Sequence, residues 1–446
     1  MNHGKRLARS YGGAFALAAA TALFGPSIVR AQTPPPNNAA DDQSPPTRQE
    51  FNAVKEELRQ TKAELADVKQ KSEAAPSSAD MDDFDRRLKE IGDAANRALP
   101  GRETIVIAGD ASVGFSVPRH GHSSFDAGVA PLILYRPVDH LLFEAAADIG
   151  VSTDETGSSS TSFDLTIADA SYEVCDGLVV GAGLFVVPFG VYHNHFDPPW
   201  INKFPDDPLP FADGGIAPGS EVGIFARGAV PVRSMKVTYD VYLTNGPQLI
   251  TNDPAAAGSL NFDDFTDINN NKAVGGRFGF LPVPNAEMGY SIQYSKPGAD
   301  PYGDVTALLQ AVDLNWRQEV TPLMGVFDIR GEWVWTNIGT ATYDPLGTAG
   351  FGPVTFGSHR NGGYAQLCYR PTLAGNKVIR NFELVSRFDF QEIPLDVPGG
   401  EREQRWIFGV DYWFAPNVVA KVAYELDNKT VGDDQNALLV QLGIGL

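Results

Sequence analysis

The chain has 446 residues, a formal net charge of −20 and two cysteines, Cys175 and Cys368. The acidic balance excludes a nucleic-acid partner, whose phosphates attract basic surfaces, and two thiols are too few for a disulfide-stapled secreted scaffold. After residue 31 no apolar run is long enough to cross a bilayer as a helix, but a β-barrel would show none, because its strands alternate apolar with polar residues.

In chain order, Lys5, Arg6 and Arg9 precede an apolar stretch from Ala14 to Gly25 and the small-residue end Val29-Arg30-Ala31. This predicts a secretory signal over residues 1–31, cleaved after Ala31. A retained anchor is disfavoured because the apolar core falls short of the roughly 20 residues a spanning helix needs. Residues 32–48 are rich in Pro, Asn and Asp and read as a disordered linker. Over residues 49–100, Phe51, Val54, Leu58, Thr61, Leu65 and Val68 recur at spacings of three and four. After Pro76 the spacing resumes at Met81, Phe84, Leu88, Ile91 and Ala95. That is a coiled-coil seam. Each helix is marginal alone, at about three heptads, so further copies of the chain are expected to complete the stem. The other reading is a solvated helix lying on a neighbouring domain.

From Glu103 the apolar period changes to two and stays there to the last residue. Ile105, Ile107, Ala111, Val113 and Phe115 alternate in the first segment; Met288, Tyr290, Ile292 and Tyr294 do so later; Trp406, Phe408, Val410, Tyr412 and Phe414 do so near the end. These are strands with one apolar face. About 16 begin, near 103, 123, 141, 161, 178, 220, 233, 273, 286, 305, 323, 361, 380, 403, 417 and 436. Connections alternate in length. Short turns are predicted at Arg136 to His140, Val174 to Gly177, Val230 to Arg233, Leu281 to Asn285, Glu319 to Pro322, Pro371 to Lys377 and Ala415 to Asn417, and long loops at 188–219, 245–271 and 337–359. A soluble sandwich has no reason to put its long loops on one parity, whereas an outer-membrane barrel does. Tyr135, Phe185, Phe189, Trp333, Trp335, Tyr412 and Phe414 lie near strand ends, where aromatic rings settle at membrane interfaces. Leu438, Val440, Leu442, Ile444 and Leu446 form a terminal apolar face that ends in Leu where such strands usually end in an aromatic. The expected fold is an all-β transmembrane antiparallel barrel of about 16 strands over residues 101–446, preceded by a short α-helical coiled coil.

Two stretches carry a family resemblance: FGVDYWFAPNVVAKVAYE at 408–425, with the turn Phe414-Ala415-Pro416-Asn417-Val418-Val419 and Lys421, and GLFVVPFGVYHNHF at 183–196. With the signal peptide and coiled coil before the barrel, the chain resembles the phosphate-selective porin O and P type family. The resemblance implies a homotrimeric 16-stranded outer-membrane channel with its stem in the periplasm, passing small hydrophilic solutes or anions such as phosphate. Phosphate-selective members line their channel with a ladder of Arg and Lys. Here acidic residues outnumber basic ones about two to one from Glu103 onward.

If the apolar residues face lipid, their neighbours face the lumen. This places Arg227, Lys236, Arg330, Arg387, Arg405 and Lys421 inward on the sixth, seventh, eleventh, thirteenth, fourteenth and fifteenth strands, the last three as a basic strip. Asp240, Asp328, Glu332, Asp389, Asp411 and Glu425 also point inward, so either a transverse field or cross-strand ion pairing that stiffens the wall is expected. The loop at 188–219, carrying His193, His195, Asp197, Trp200 and Lys203, is stiffened by prolines and aromatics. It is expected to enter and constrict the lumen; an external cap or a contact between copies is the other reading.

His193, His195 and Asp197 have metal-ligand spacing but lack a defined further partner, and no metal or cofactor is expected there, nor at His120 and His122. An outer-membrane hydrolase needs a His in reach of a nucleophile on the wall, and every histidine, His359 included, falls in a predicted loop, turn or the signal. Catalysis is therefore not expected. The stem could also tether the outer membrane to peptidoglycan. Cys175 and Cys368 fall on opposite sides of the ring, too far apart for a disulfide.

Overall fold

The computed structural model describes residues 104–153, 158–262, 265–432 and 434–446. The expected signal peptide (1–31), linker (32–48) and coiled-coil stem (49–100) lie outside the described residues.

Sixteen antiparallel strands close into one barrel. In chain order they are β1 (Thr104–Pro118), β2 (Ser124–Val138), β3 (Leu141–Thr153), β4 (Ser159–Cys175), β5 (Leu178–Val186), β6 (Ser220–Val232), β7 (Met235–Thr244), β8 (Ala273–Val283), β9 (Ala286–Ser295), β10 (Ala307–Val320), β11 (Gly325–Tyr343), β12 (Val354–Arg370), β13 (Phe382–Ile393), β14 (Glu401–Ala415), β15 (Val418–Lys429) and β16 (Ala437–Gly445). Each pairs with its neighbours in sequence, and β1 closes on β16 in a register running from Asp110 opposite Gly445 to Pro118 opposite Ala437. Closure gives every strand a hydrogen-bonded neighbour on each side, the condition for strands to lie in lipid.

The period-two pattern sorts side chains as expected, with soluble-protein logic inverted. Apolar residues are exposed: Phe163 at 69%, Trp406 at 49% and Phe408 at 50%. Charged residues are buried: Arg387, Asp389, Asp411 and Lys421 are at most 1% exposed. An outer apolar surface of this extent is covered only by an apolar medium.

At one end the strands join through brief turns, with left-handed residues at His140 and Arg233. At the other end lie the longer connections, 187–219 and 245–272 above all. Three expectations need correction. The connection expected at 337–359 is shorter, spanning 344–353, because β11 and β12 continue as a tall hairpin past a bulge between Ile338 and Ala341. His359 therefore sits in strand β12, exposed and opposite Asn337, whose Oδ1 lies 2.9 Å from its Nδ1. Phe185 and Phe189, expected on the membrane face, are buried inside at 1% and 0% exposure. Phe185 packs edge-on against Phe225, the ring centroids 4.7 Å apart. Alternation marks which residues share a face but leaves open which apolar residues meet an interior loop.

Candidate functional site

The segment between β5 and β6 determines what the barrel encloses. Its own hydrogen bonds are local: one wide helical turn over Tyr192–Phe196, and the Tyr192 hydroxyl donating to Asp207 at 2.7 Å. Its outward contacts reach strands far around the ring. Gly190 N–H donates to Ser291 Oγ on β9 at 3.0 Å, and Val191 N–H donates to Glu332 on β11 at 2.8 Å. Thr336, also on β11, donates to the carbonyl of Ile216 at 2.7 Å. Lys203 meets Glu383 on β13 at 3.0 Å. Lys421 on β15 donates to the carbonyl of Phe204, and Gln441 on β16 to that of Pro205. A segment that joins β5 to β6 and touches inward side chains on β9, β11, β13, β15 and β16 lies inside the barrel.

Apolar burial holds it there. Phe189, Tyr192, Phe211 and Ile216 pack with wall residues Phe185, Phe225, Tyr242, Leu309, Val334 and Tyr364, and with Leu249 and Leu260 of the second long loop. A fully buried side chain of this size contributes roughly 1.5–3 kcal/mol, and the prolines reduce the entropy the free loop would otherwise keep. Phe204 plugs a second small cluster with Cys368, Val385, Ile407 and Ala423. One side of the interior is thereby filled with packed side chains. Gly190 makes the close approach possible: its φ is +69°, and a Cβ there would collide with the Glu332 carboxylate.

The residues expected to line a pore take these positions. Arg387 and Arg405 converge on Asp206 of the loop, at 2.7 and 2.8 Å. Arg387 also pairs with Asp389 at 2.9 Å, and Arg405 with Glu403 at 3.0 Å and Glu425 at 2.6 Å. Lys421, the third member of the basic strip, donates to Gln441 at 2.8 Å as well as to the loop. Arg330 forms a two-bond fork with Asp328 and lies over the Phe196 ring at 3.9 Å. Glu332 accepts from Tyr364 at 2.8 Å, and Asp411 is buried two residues from Trp413, whose indole N–H donates to Glu383. Arg227 and Asp240 are register partners 3.9 Å apart. Lys236 stands on the inward parity but is exposed where β7 leaves the turn.

Among the loop residues, His193 and Asp197 are buried, their side chains 3.6 Å apart, and Lys203 is buried against Glu383. His195 and Trp200 are half-buried. Sequence reasoning missed Asp206, which carries no mark in its proline-rich surroundings, and Arg277, whose guanidinium meets Asp313 at 2.7 Å and Glu287 at 2.9 Å. It also missed the acidic wall of β1–β4. The signal for that wall was available: the only basic residue in β1–β5 is Arg136, which pairs with Asp139 in the following turn.

The chain matches no protein-family model and no curated protein sequence. Among solved structures it is similar to the outer membrane channel DcaP of Acinetobacter baumannii, at 11% identity over 78% of this chain and 99% of that one, with a TM-score of 0.50. It is also similar to OmpF of Salmonella typhi in complex with daunomycin, at 12% identity over 77% and 97% of the two chains, TM-score 0.47. A third is OmpT, an outer membrane protein of Vibrio cholerae, at 10% identity over 78% and 99%, TM-score 0.46. The likeness is one of fold. The chain has the barrel architecture of outer-membrane channel proteins.

Proposed function

We propose that the protein is an outer-membrane diffusion channel for small hydrophilic solutes, working as a homotrimer with its stem, residues 49–100, in the periplasm. One observation carries this reading: a closed barrel with an apolar, exposed outside and a charged inside that also holds a folded loop. Lipid solvates the first surface, and a narrowed aqueous path explains the second. The loop 187–219 acts as the constriction, and Lys421 together with Arg227, Arg330, Arg387 and Arg405 and the carboxylates these four arginines meet line the wall around it.

Anions such as phosphate are the solute class implied by the family resemblance. The pairing of Arg387, Arg405 and Arg330 with carboxylates weighs against a free basic ladder. Purified protein added to a planar bilayer should give discrete conductance steps, with phosphate and chloride compared as the current carriers. A chain that stays in the aqueous fraction without detergent and gives no steps ends this reading. A role for the stem in holding peptidoglycan is compatible with it and is tested by pull-down with residues 32–100.

A further inference from the structure

At the end of the barrel where strands meet in brief turns, two connections stand apart. The other five among the described residues, Asp139-His140, Asp176-Gly177, Arg233-Ser234, Pro284-Asn285 and Pro416-Asn417, are two residues each and contain no Leu, Ile, Val, Met, Phe, Tyr or Trp. The β10–β11 connection has four residues, 321–324, and the β12–β13 connection has eleven, 371–381. Hydrogen bonds fix both. The Leu373 N–H donates to the Met324 carbonyl at 3.0 Å and joins one to the other. The Tyr369 hydroxyl donates to the Leu323 carbonyl at 2.6 Å, Arg370 Nε to the Arg380 carbonyl at 2.9 Å, and the Trp413 N–H to the Asn381 carbonyl at 2.9 Å. Within the longer connection, Asn376 caps the helical turn Lys377–Arg380 by accepting from the Val378 N–H.

This braced pair presents apolar side chains on the aqueous side. Leu323, Met324, Leu373, Val378 and Ile379 are each 39–55% exposed. Lipid does not account for them. At the ends of β11–β14, Phe327 and Tyr369 pair with ring centroids 4.9 Å apart, and Phe382 and Tyr412 at 5.0 Å. Such outward aromatic rings mark the membrane interface, and the two connections lie beyond them in the chain. Apolar side chains gathered on a fixed frame outside the lipid mark a surface that meets a partner. The charged residues of the two connections are Lys377 and Arg380, with no acid between them.

We propose that this surface seats the chain's own second apolar-periodic segment, Met81 to Ala95, while Phe51 to Val68 keeps its seam for the other copies. The inference rests on the periplasmic-stem reading and gives the stem a seat on the barrel. Thr104 pairs with Arg136 beside the Asp139-His140 turn, so the preceding chain joins the barrel at this same end. Sixteen strands about 4.8 Å apart and tilted about 40° make a ring roughly 30 Å across. As a helix, residues 81–95 span roughly 22 Å, and residues 96–103 add up to about 26 Å when extended. That length reaches from β1 across to the β10–β13 side. Pro76 interrupts the seam between the two segments and lets the second turn away from the first. Met81, Phe84, Leu88 and Ile91 supply an apolar stripe, and Asp82, Asp83 and Asp85 bring negative charge to a surface whose own charges are basic.

The test puts photoreactive benzoylphenylalanine in place of Ile379 in the full-length protein in outer-membrane vesicles, with irradiation followed by protease mapping. The cross-link should fall within 81–95 of the same chain. Phe84→Asp/Leu88→Asp should reduce its yield several-fold while the barrel still folds, read from its heat-dependent mobility on gels. The same probe in place of Ser234, on a two-residue turn, should give little of it. Links to lipid, to another copy of the chain or to a different protein overturn the docking, as does an equal yield at Ser234 or in the folded Phe84/Leu88 variant. Protease added to intact cells separates this from the stem reading. Cleavage within 49–100 from outside the cell removes the stem reading and this inference with it, whereas a protected stem without the cross-link overturns the docking alone.

Discussion

Arg387 donates to Asp206 at 2.7 Å across 181 residues of sequence, joining a wall strand to the loop that fills the barrel. The same Asp206 carboxylate takes Arg405 at 2.8 Å. One acidic loop residue therefore clamps two adjacent strands, and removing it affects loop and wall together.

Asp206→Asn should cost about 1–3 kcal/mol, because one buried and one half-buried guanidinium group lose a charged acceptor while keeping their wall carboxylates. The check is the unfolding midpoint in detergent together with limited proteolysis of the loop. A loop cleaved no faster than in the parent protein would show that apolar packing alone holds it.

Deleting residues 196–212 removes Phe204, Asp206 and Phe211 from the interior. Single-channel conductance should rise, since the side chains that occupy the lumen are gone and the closed sheet remains. Equal conductance before and after would rule out constriction by this segment.

Gly190→Ala adds a Cβ where the Glu332 carboxylate sits, at a φ of +69° that side chains rarely adopt. The strain is of order 1–3 kcal/mol, and relief comes by releasing the Val191 N–H bond to Glu332. Faster proteolysis within 187–219 and noisier current are the expected signs. A quiet, protease-resistant channel would place the anchoring elsewhere.

Phe408, half exposed in the middle of β14, faces the surrounding apolar medium. Phe408→Arg should destabilise folding into lipid vesicles by about 2–4 kcal/mol, whereas Thr238→Arg, on the inward parity of β7, should be tolerated far better. Equal penalties for the two would contradict the outside-apolar assignment.

Much of this protein is legible residue by residue. Strand positions, the inward parity of Arg387, Asp389, Arg405 and Lys421, and the split between short and long connections follow from alternation at period two, which is a local property of extended chain. Three things are not local. His359 is strand because β11 and β12 pair past the point where apolar alternation fades. Phe185 is interior because a loop packs on it. Asp206 matters because the chain brings it to strands nearly two hundred residues away. Backbone geometry propagates a face along a strand, but whether a charge on that face meets a partner, a loop or open water depends on which distant segments share the lumen, and only closure of the ring decides that.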